Sequence, residues 1–233
     1  MTRLAPLRPS ASVAPLVLIL ALAIGIVALL AAILTLGGFD VGRAMTALVR
    51  GAGGSSYAIF SATLVRATPL ILTGLAVALA FKAGILNIGA EGQLLTGAAV
   101  AAAVALGMGP SLGAGALVIA LIAAAAGGAL CAALPAWLQR RFGVLEVIST
   151  IMMNFIALYG VGYLVRGPLQ EPTRAYPQSS AIPDATHLPI LIPGTRLHVG
   201  FAIAVIATLA AWYVTRNLAA GFRLRVVGSN PSA

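Results

Sequence analysis

Charge is what this sequence lacks most. Asp, Glu, Lys and Arg make up only 8% of its 233 residues, against about 25% in an ordinary soluble domain. Too few ionic groups are present to dress a water-facing surface. A single cysteine, Cys131, lies in an apolar run, which excludes an internal disulfide. A single lysine, Lys82, is followed by Ala83, so no phosphate-binding loop ending in Gly-Lys-Ser/Thr exists. The histidines, His187 and His198, lie in or beside a proline-rich stretch with Asp184, and their spacing matches no metal site. The formal charge of +9 does not point to nucleic acid either, because the basic residues are scattered at helix ends and form no basic face.

What is abundant is apolar. Hydrophobic residues make up 61% of the chain and the mean hydropathy is +1.05, the composition of an integral membrane protein. The apolar runs are continuous, long and rich in Ala, Leu and Gly, which predicts helices and excludes the alternating pattern of a barrel strand. The expected fold is an all-α polytopic transmembrane bundle with about six segments: Ala14 to Leu36, Ala58 to Phe81, Gln93 to Leu106, Leu112 to Leu134, Val144 to Val165 and Gly200 to Thr215. The third is short for a full crossing. Arg3 and Arg8 ahead of the first run imitate a signal peptide, but the run is too long and no cleavage region follows, so it reads as a retained span.

Placing the N-terminus in the cytoplasm puts Arg3, Arg8, Lys82, Arg140, Arg141, Arg216, Arg223 and Arg225 inside, and leaves the fewer basic residues Arg43, Arg50, Arg66, Arg166, Arg174 and Arg196 outside. Residues 1–13 then form a cytoplasmic tail and residues 14–216 the membrane domain. The long connection 166–198, with Pro168, Pro172, Pro177, Pro183, Pro189 and Pro193, becomes an extended extracytoplasmic lid or docking surface. Ala123, Gly127 and Cys131 recur at four-residue spacing, a small-residue face suited to close helix packing in lipid.

Polar residues are rare enough that two groups stand out. The stretch AFKAGILNIGAEGQLLTG, Ala80 to Gly97, ends one helix at Lys82 and Gly84 and starts another, with Asn87 expected as N-cap and Glu91 in the first turn. Gly89, Gly92 and Gln93 exceed what a cap requires. Either this is a broken helix at membrane depth, tolerated only where protein or a water path covers it, or it is an ordinary hairpin at the membrane surface. In the fifth segment, a spacing of about 100° per residue gathers Glu146, Thr150 and Asn154 with Ser149, Met153, Ala157 and Gly160 on one face. Ile148, Ile151, Met152, Phe155, Leu158 and Tyr159 take the other. The polar face suits a solute path or a close helix equally well.

Taken together, LAFKAGILNIGAEGQ (Leu79 to Gln93), EVISTIMMNFIALYGVGYLVRGP (Glu146 to Pro168) and GFRLRVVGSNP (Gly221 to Pro231) resemble the branched-chain amino acid and simple-sugar ABC importer permeases, in particular their nucleoside-type branch. The resemblance runs from about residue 60 to the end. It implies a non-enzymatic subunit of a bacterial inner membrane that forms the translocation path and holds no cofactor of its own. ATP would be used by a separate ATP-binding cassette subunit. An extracytoplasmic solute-binding protein would deliver the solute, and a second permease subunit would complete the path within the lipid bilayer. It assigns Asn87, Gly89, Glu91, Gly92 and Gln93 to a signature turn and Glu146, Thr150 and Asn154 to a second motif. Leu145 departs from the family, which commonly has a polar residue there. Contact of Asn87, Glu91, Gln93, Glu146, Thr150 and Asn154 with solute is the expectation drawn from these assignments.

The same resemblance makes residues 217–233 the start of a cytoplasmic segment that couples to the ATPase, with Arg223, Arg225, Gly228, Asn230 and Pro231 in its motif. Asn230 reads as an N-cap and Pro231 as a first helical residue, so a helix is expected beyond Ala233 and the chain is expected to be C-terminally truncated. The nearest alternative is a simple-sugar permease of ribose type. A secondary carrier using Glu91 as a proton site is a different class, and an intramembrane enzyme lacks a nucleophile–base pair.

Overall fold

A computed structural model describes residues 14–229. Among them, six helices are long and apolar enough to cross a membrane. Residues 1–13 and the expected cap at Asn230 and Pro231 lie outside the described residues.

The chain divides into two units, residues up to 59 and residues from 60 onward. The first contains α1 (Ala14–Leu36), α2 (Val41–Gly53) and the single turn α3 (Ser56–Ala58). Apolar side chains cover every side of α1, and Val17, Ile24 and Ile33 are well over half exposed. A helix hydrophobic all round has no polar face to offer water, which is the pattern of a lipid-embedded span. Gly37 and Gly38 follow, Gly38 with φ of 75°, and Asp40 then caps α2 by accepting a hydrogen bond from the Arg43 backbone N–H at 2.9 Å. The sequence reading contains no α2. It is too short to span and its apolar residues are too interrupted to register as a run.

A π-helical stretch, Ile59–Thr63, precedes α4 (Leu64–Lys82). The second unit continues with α5 (Ala90–Leu112), α6 (Ala114–Phe142), α7 (Glu146–Leu164), α8 (Val199–Asn217) and α9 (Ala219–Ser229). The third expected segment is longer than its sequence reading, Ala90–Leu112 instead of Gln93 to Leu106. Gly107, Gly109 and Pro110 suggest an earlier stop, but Pro110 falls in the last turn, where the helix still closes through the Gly113 N–H to the Gly109 carbonyl at 2.9 Å. The fourth also outruns its expected end at Leu134 and reaches Phe142. Its polar end Gln139, Arg140, Arg141 is a poor membrane sequence but a good helical one, and it stops at left-handed Gly143, whose N–H reaches the Gln139 carbonyl at 2.8 Å.

Close approach between α5 and α6 depends on small residues. A Cβ on Gly97 would lie 2.9 Å from the Ala124 carbonyl oxygen, and one on Gly127 2.9 Å from Val100 Cγ2. Gly127 and Cys131 of the expected small-residue face point into this packing, with Cys131 buried. Such contacts replace the hydrophobic driving force that lipid does not supply between helices.

The connection 166–198 has no long helix. It holds a 3-10 turn, Asp184–Thr186, and isolated bridges between Gln170 and Ser179 and between Ile190 and His198. The Arg196 N–H donates to Ser61 Oγ at 3.0 Å, fastening the connection to the π-helical entry of α4.

Candidate functional site

The two polar motifs, far apart in sequence, form one assembly. α4 ends at Lys82, and Gly84 takes φ of 77°, the left-handed conformation expected of it. The chain then runs without helix from Ile85 to Gly89 before α5 begins. Asn87 is not the N-cap: that position belongs to Gly89, which has no side chain to cap with. Asn87 instead folds its Oδ1 onto the Gly89 N–H at 2.8 Å, a local turn two residues long, while the same oxygen accepts from Gln93 Nε2 at 3.2 Å. The correction has a simple cause. An Asx side chain competes for whichever backbone N–H is nearest, and here that group precedes the helix.

The polar face of α7 supplies the rest. The Ile88 N–H donates to Thr150 Oγ1 at 3.3 Å, the Gly92 N–H donates to Asn154 Oδ1 at 2.8 Å, and Asn154 Nδ2 donates to the Ile88 carbonyl at 3.0 Å. Residues 150 and 154 are one helical turn apart, about 5.4 Å along the axis, and reach two successive parts of the break. Both ends of the Asn154 amide are used. Thr150 also donates to the Glu146 carbonyl at 2.7 Å, so its hydroxyl acts as donor and acceptor.

The assembly lies deep along α7. Asn154 is close to the middle of Glu146–Leu164, about 12 Å beyond the first residue at 1.5 Å per position. The connection joins two helices that are each long enough to span, and the backbone groups freed between them are satisfied by side chains of α7.

Glycine is required at Gly92 and leaves little room to spare at Gly89, the two contacts with α7. A Cβ on Gly92 would meet Asn154 Cα at 2.9 Å and the Met153 carbonyl at 3.0 Å, and one on Gly89 would meet Thr150 Cβ at 3.2 Å. Both glycines are buried. The carboxylates are placed differently. Glu91 is exposed, Glu146 is half-buried, and among the described residues neither makes an ion pair. Of the six expected pathway residues, the structure pairs Asn87 with Gln93 inside the connection and sets Thr150 and Asn154 on its backbone, while the side chains of the two acids take no part in these bonds. The Ile88 backbone, which no side-chain reading singles out, is where Thr150 and Asn154 meet.

A groove of about 660 Å³ runs between α5, α6 and α7 from Thr96 and Met153 to Leu164 and Leu169, and none of the six residues lines it. It is almost wholly apolar, with nothing to orient a polar solute.

The other expected group sits on α9, a helix that the sequence reading does not contain. An Arg225 Nη1 donates to the Thr215 carbonyl, binding α9 to the end of α8. Gly228 packs backbone to backbone on the end of α4: a Cβ on Gly84 would meet Gly228 Cα at 3.2 Å. Arg223 is exposed. The α9 helix thus rests against the first residues of the break.

Residues 59–233 match the family described as the branched-chain amino acid transport system / permease component. The chain belongs to this family. It is 39% identical to the guanosine ABC transporter permease protein NupP of Bacillus subtilis over 97% of this chain and 64% of that relative. It is 44% identical to the glucose ABC transporter permease protein TsgB13 of Haloferax volcanii, over 73% of this chain and 47% of the relative. The guanosine permease NupQ of Bacillus subtilis is 32% identical over 75% of this chain and 57% of its own length. The chain therefore spans about half to two thirds of these curated relatives. No solved structure matches it.

Proposed function

We propose that the chain is a permease subunit of an ATP-binding cassette importer and forms part of the translocation path for nucleosides. The observation that carries this reading is the alignment with a guanosine permease along 97% of the chain, the widest coverage among the relatives above. The polar connection between α4 and α5 supports it, because a pathway needs polar groups that are held in place, and α7 braces these.

In this reading Asn87, Gln93, Thr150 and Asn154 hold the break in shape, while Glu91 and Glu146 offer acceptors to the hydroxyls of a ribose or to base N–H groups. The chain holds no cofactor. ATP is used by a separate ATPase subunit, a solute-binding protein delivers the nucleoside from outside, and a second permease, identical or related, completes the path. α9, with Arg223, Arg225 and Gly228, faces the ATPase in the cytoplasm, and Asn230 and Pro231 continue that segment. The Pro-rich connection lies on the opposite side of the membrane. A simple-sugar permease is the second reading, favoured by the 44% identity to a glucose permease.

Uptake of labelled guanosine in cells expressing the chain with its ATPase, binding protein and second permease tests the assignment. ATP-dependent uptake blocked by uridine and indifferent to ribose and glucose is expected, whereas blockade by a sugar assigns the chain to the sugar branch. Uptake that survives ATP depletion and collapses with the proton gradient would mark a secondary carrier and refute the importer. Glu91→Ala is expected to reduce uptake at least tenfold, the factor of about 1.4 kcal/mol for a lost hydrogen bond to a charged group, with normal membrane levels. Unchanged transport would remove Glu91 from the path.

A further inference from the structure

Outside the polar break, α2 is the feature that the function leaves unused. At about 100° per residue, Val41, Ala44, Met45, Leu48, Val49 and Ala52 fall on one half of its circumference. Arg43, Thr46 and Arg50 fall on the other, together with Gly42 and Ala47. No residue of the helix is buried, and Leu48 and Val49 are 57% and 70% exposed. At 13 residues it is about 20 Å long, too short to cross the hydrocarbon core.

Its position says what covers the apolar half. α1 is a lipid-embedded span that ends at Leu36, and the Asp40 cap starts α2 a few residues later. Even fully extended, that connection keeps the first turn of α2 within about 14 Å of the end of the span, so the helix begins in the interfacial layer where α1 leaves the bilayer. Exposed aromatic side chains bracket it, Phe39 before and Tyr57 after, and the amphipathic ring of Tyr57 favours the headgroup level. Arg43 Nε lies 3.4 Å from the Asp40 carboxylate, with the guanidinium side 90% exposed, while Arg50 has no acid within ion-pair distance among the described residues.

We infer that α2 lies in the plane of the membrane interface, its Leu48–Val49 face in the acyl boundary and Arg43 and Arg50 on the phosphates of anionic lipids. The apolar half continues the lipid contact already made by α1, and the arginines stand on the half that faces the headgroups. A short helix with this division of residues is stable lying in the interface beside a span.

Nitroxide labels on the full chain test this in a Cys131→Ala background, at Leu48→Cys or Thr46→Cys, in nanodiscs of phosphatidylcholine with or without an equal part of phosphatidylglycerol. The Leu48→Cys label should be accessible to oxygen and shielded from an aqueous nickel chelate, and the Thr46→Cys label the reverse. Hydrogen exchange across residues 42–53 should be slower in the anionic discs. Arg43→Gln and Arg50→Gln should each lower that protection about fivefold, the factor for one basic residue at an anionic surface, and leave the neutral discs unchanged. A Leu48→Cys label shielded from both reagents would mean that protein covers the face, and one open to nickel would mean that it is in water. Either result overturns the placement. Protection that ignores both the anionic lipid and the arginines overturns the phosphate contact.

Discussion

Asn154 shows how a single side chain can brace the connection between two membrane helices. Its amide carries a donor and an acceptor and matches one of each on the connection, the Ile88 carbonyl and the Gly92 N–H. Asn154→Ala leaves both backbone groups without their side-chain partner, at about 1 kcal/mol for each. Thr150→Val removes the acceptor for the Ile88 N–H and the hydroxyl's bond back to the Glu146 carbonyl, leaves one group of the connection without its partner instead of two, and should cost less. Thermal unfolding of the purified variants in detergent is expected to rank Asn154→Ala below Thr150→Val and both below the parent. Equal melting of all three would show that the break is held elsewhere. At this scale the polar residue types and their one-turn spacing are legible in the sequence, but their partners are not. Hydrogen bonds to Ile88 are bonds to backbone, which every residue carries alike.

At the scale of elements, the sequence marks long apolar helices well and short or mixed ones poorly. α2 and α9 are missed because neither is apolar enough to register as a span. The Pro-rich connection is legible as an extended segment, but not the polar contacts that order it. There the Glu171 carboxylate accepts from Gln178 Nε2 at 2.8 Å and Thr173 Oγ1 at 2.9 Å. These bonds, led by Gln178, hold its pKa below the usual 4.5 of a glutamate. A depressed carboxylate pKa stabilises the folded form above the unfolded value, and that contribution is lost as pH falls through the lowered one. The turn at 171–179 is therefore expected to be ordered at neutral pH and to loosen only under acid below the ordinary glutamate range. Hydrogen exchange of the Glu171 and Gln178 amides measured down the pH scale, corrected for intrinsic rates, checks this. Glu171→Gln should loosen the turn at neutral pH and abolish the acid step.

For the whole molecule, alternation of α4 to α8 puts Lys82, Arg140, Arg141 and Arg216 at the same ends as the break and α9. Two of these ends add a cation over an aromatic ring: Arg141 lies 5.5 Å from the Phe142 centroid and Arg216 lies 5.8 Å from that of Trp212. Basic residues favour the cytoplasmic side, so the Pro-rich connection is expected outside. A membrane-impermeant thiol reagent applied to intact cells should label Ser180→Cys and spare Ser229→Cys, with the reverse in inverted vesicles. The opposite pattern would invert the proposed topology.

Composition alone determined that this is a helical membrane protein, because six long apolar runs in a chain of this size leave too little polar surface to cover them in water, and lipid covers them instead. Its motifs alone carried the resemblance to the importer permeases. Only the tertiary structure decided that the two polar motifs are one site, that Asn87 serves a turn instead of a helix cap, and that the break meets the middle of α7. Those outcomes depend on which backbone groups lose their helical partners and which side chain stands within about 3 Å of them, a matter of packing that residue order does not express.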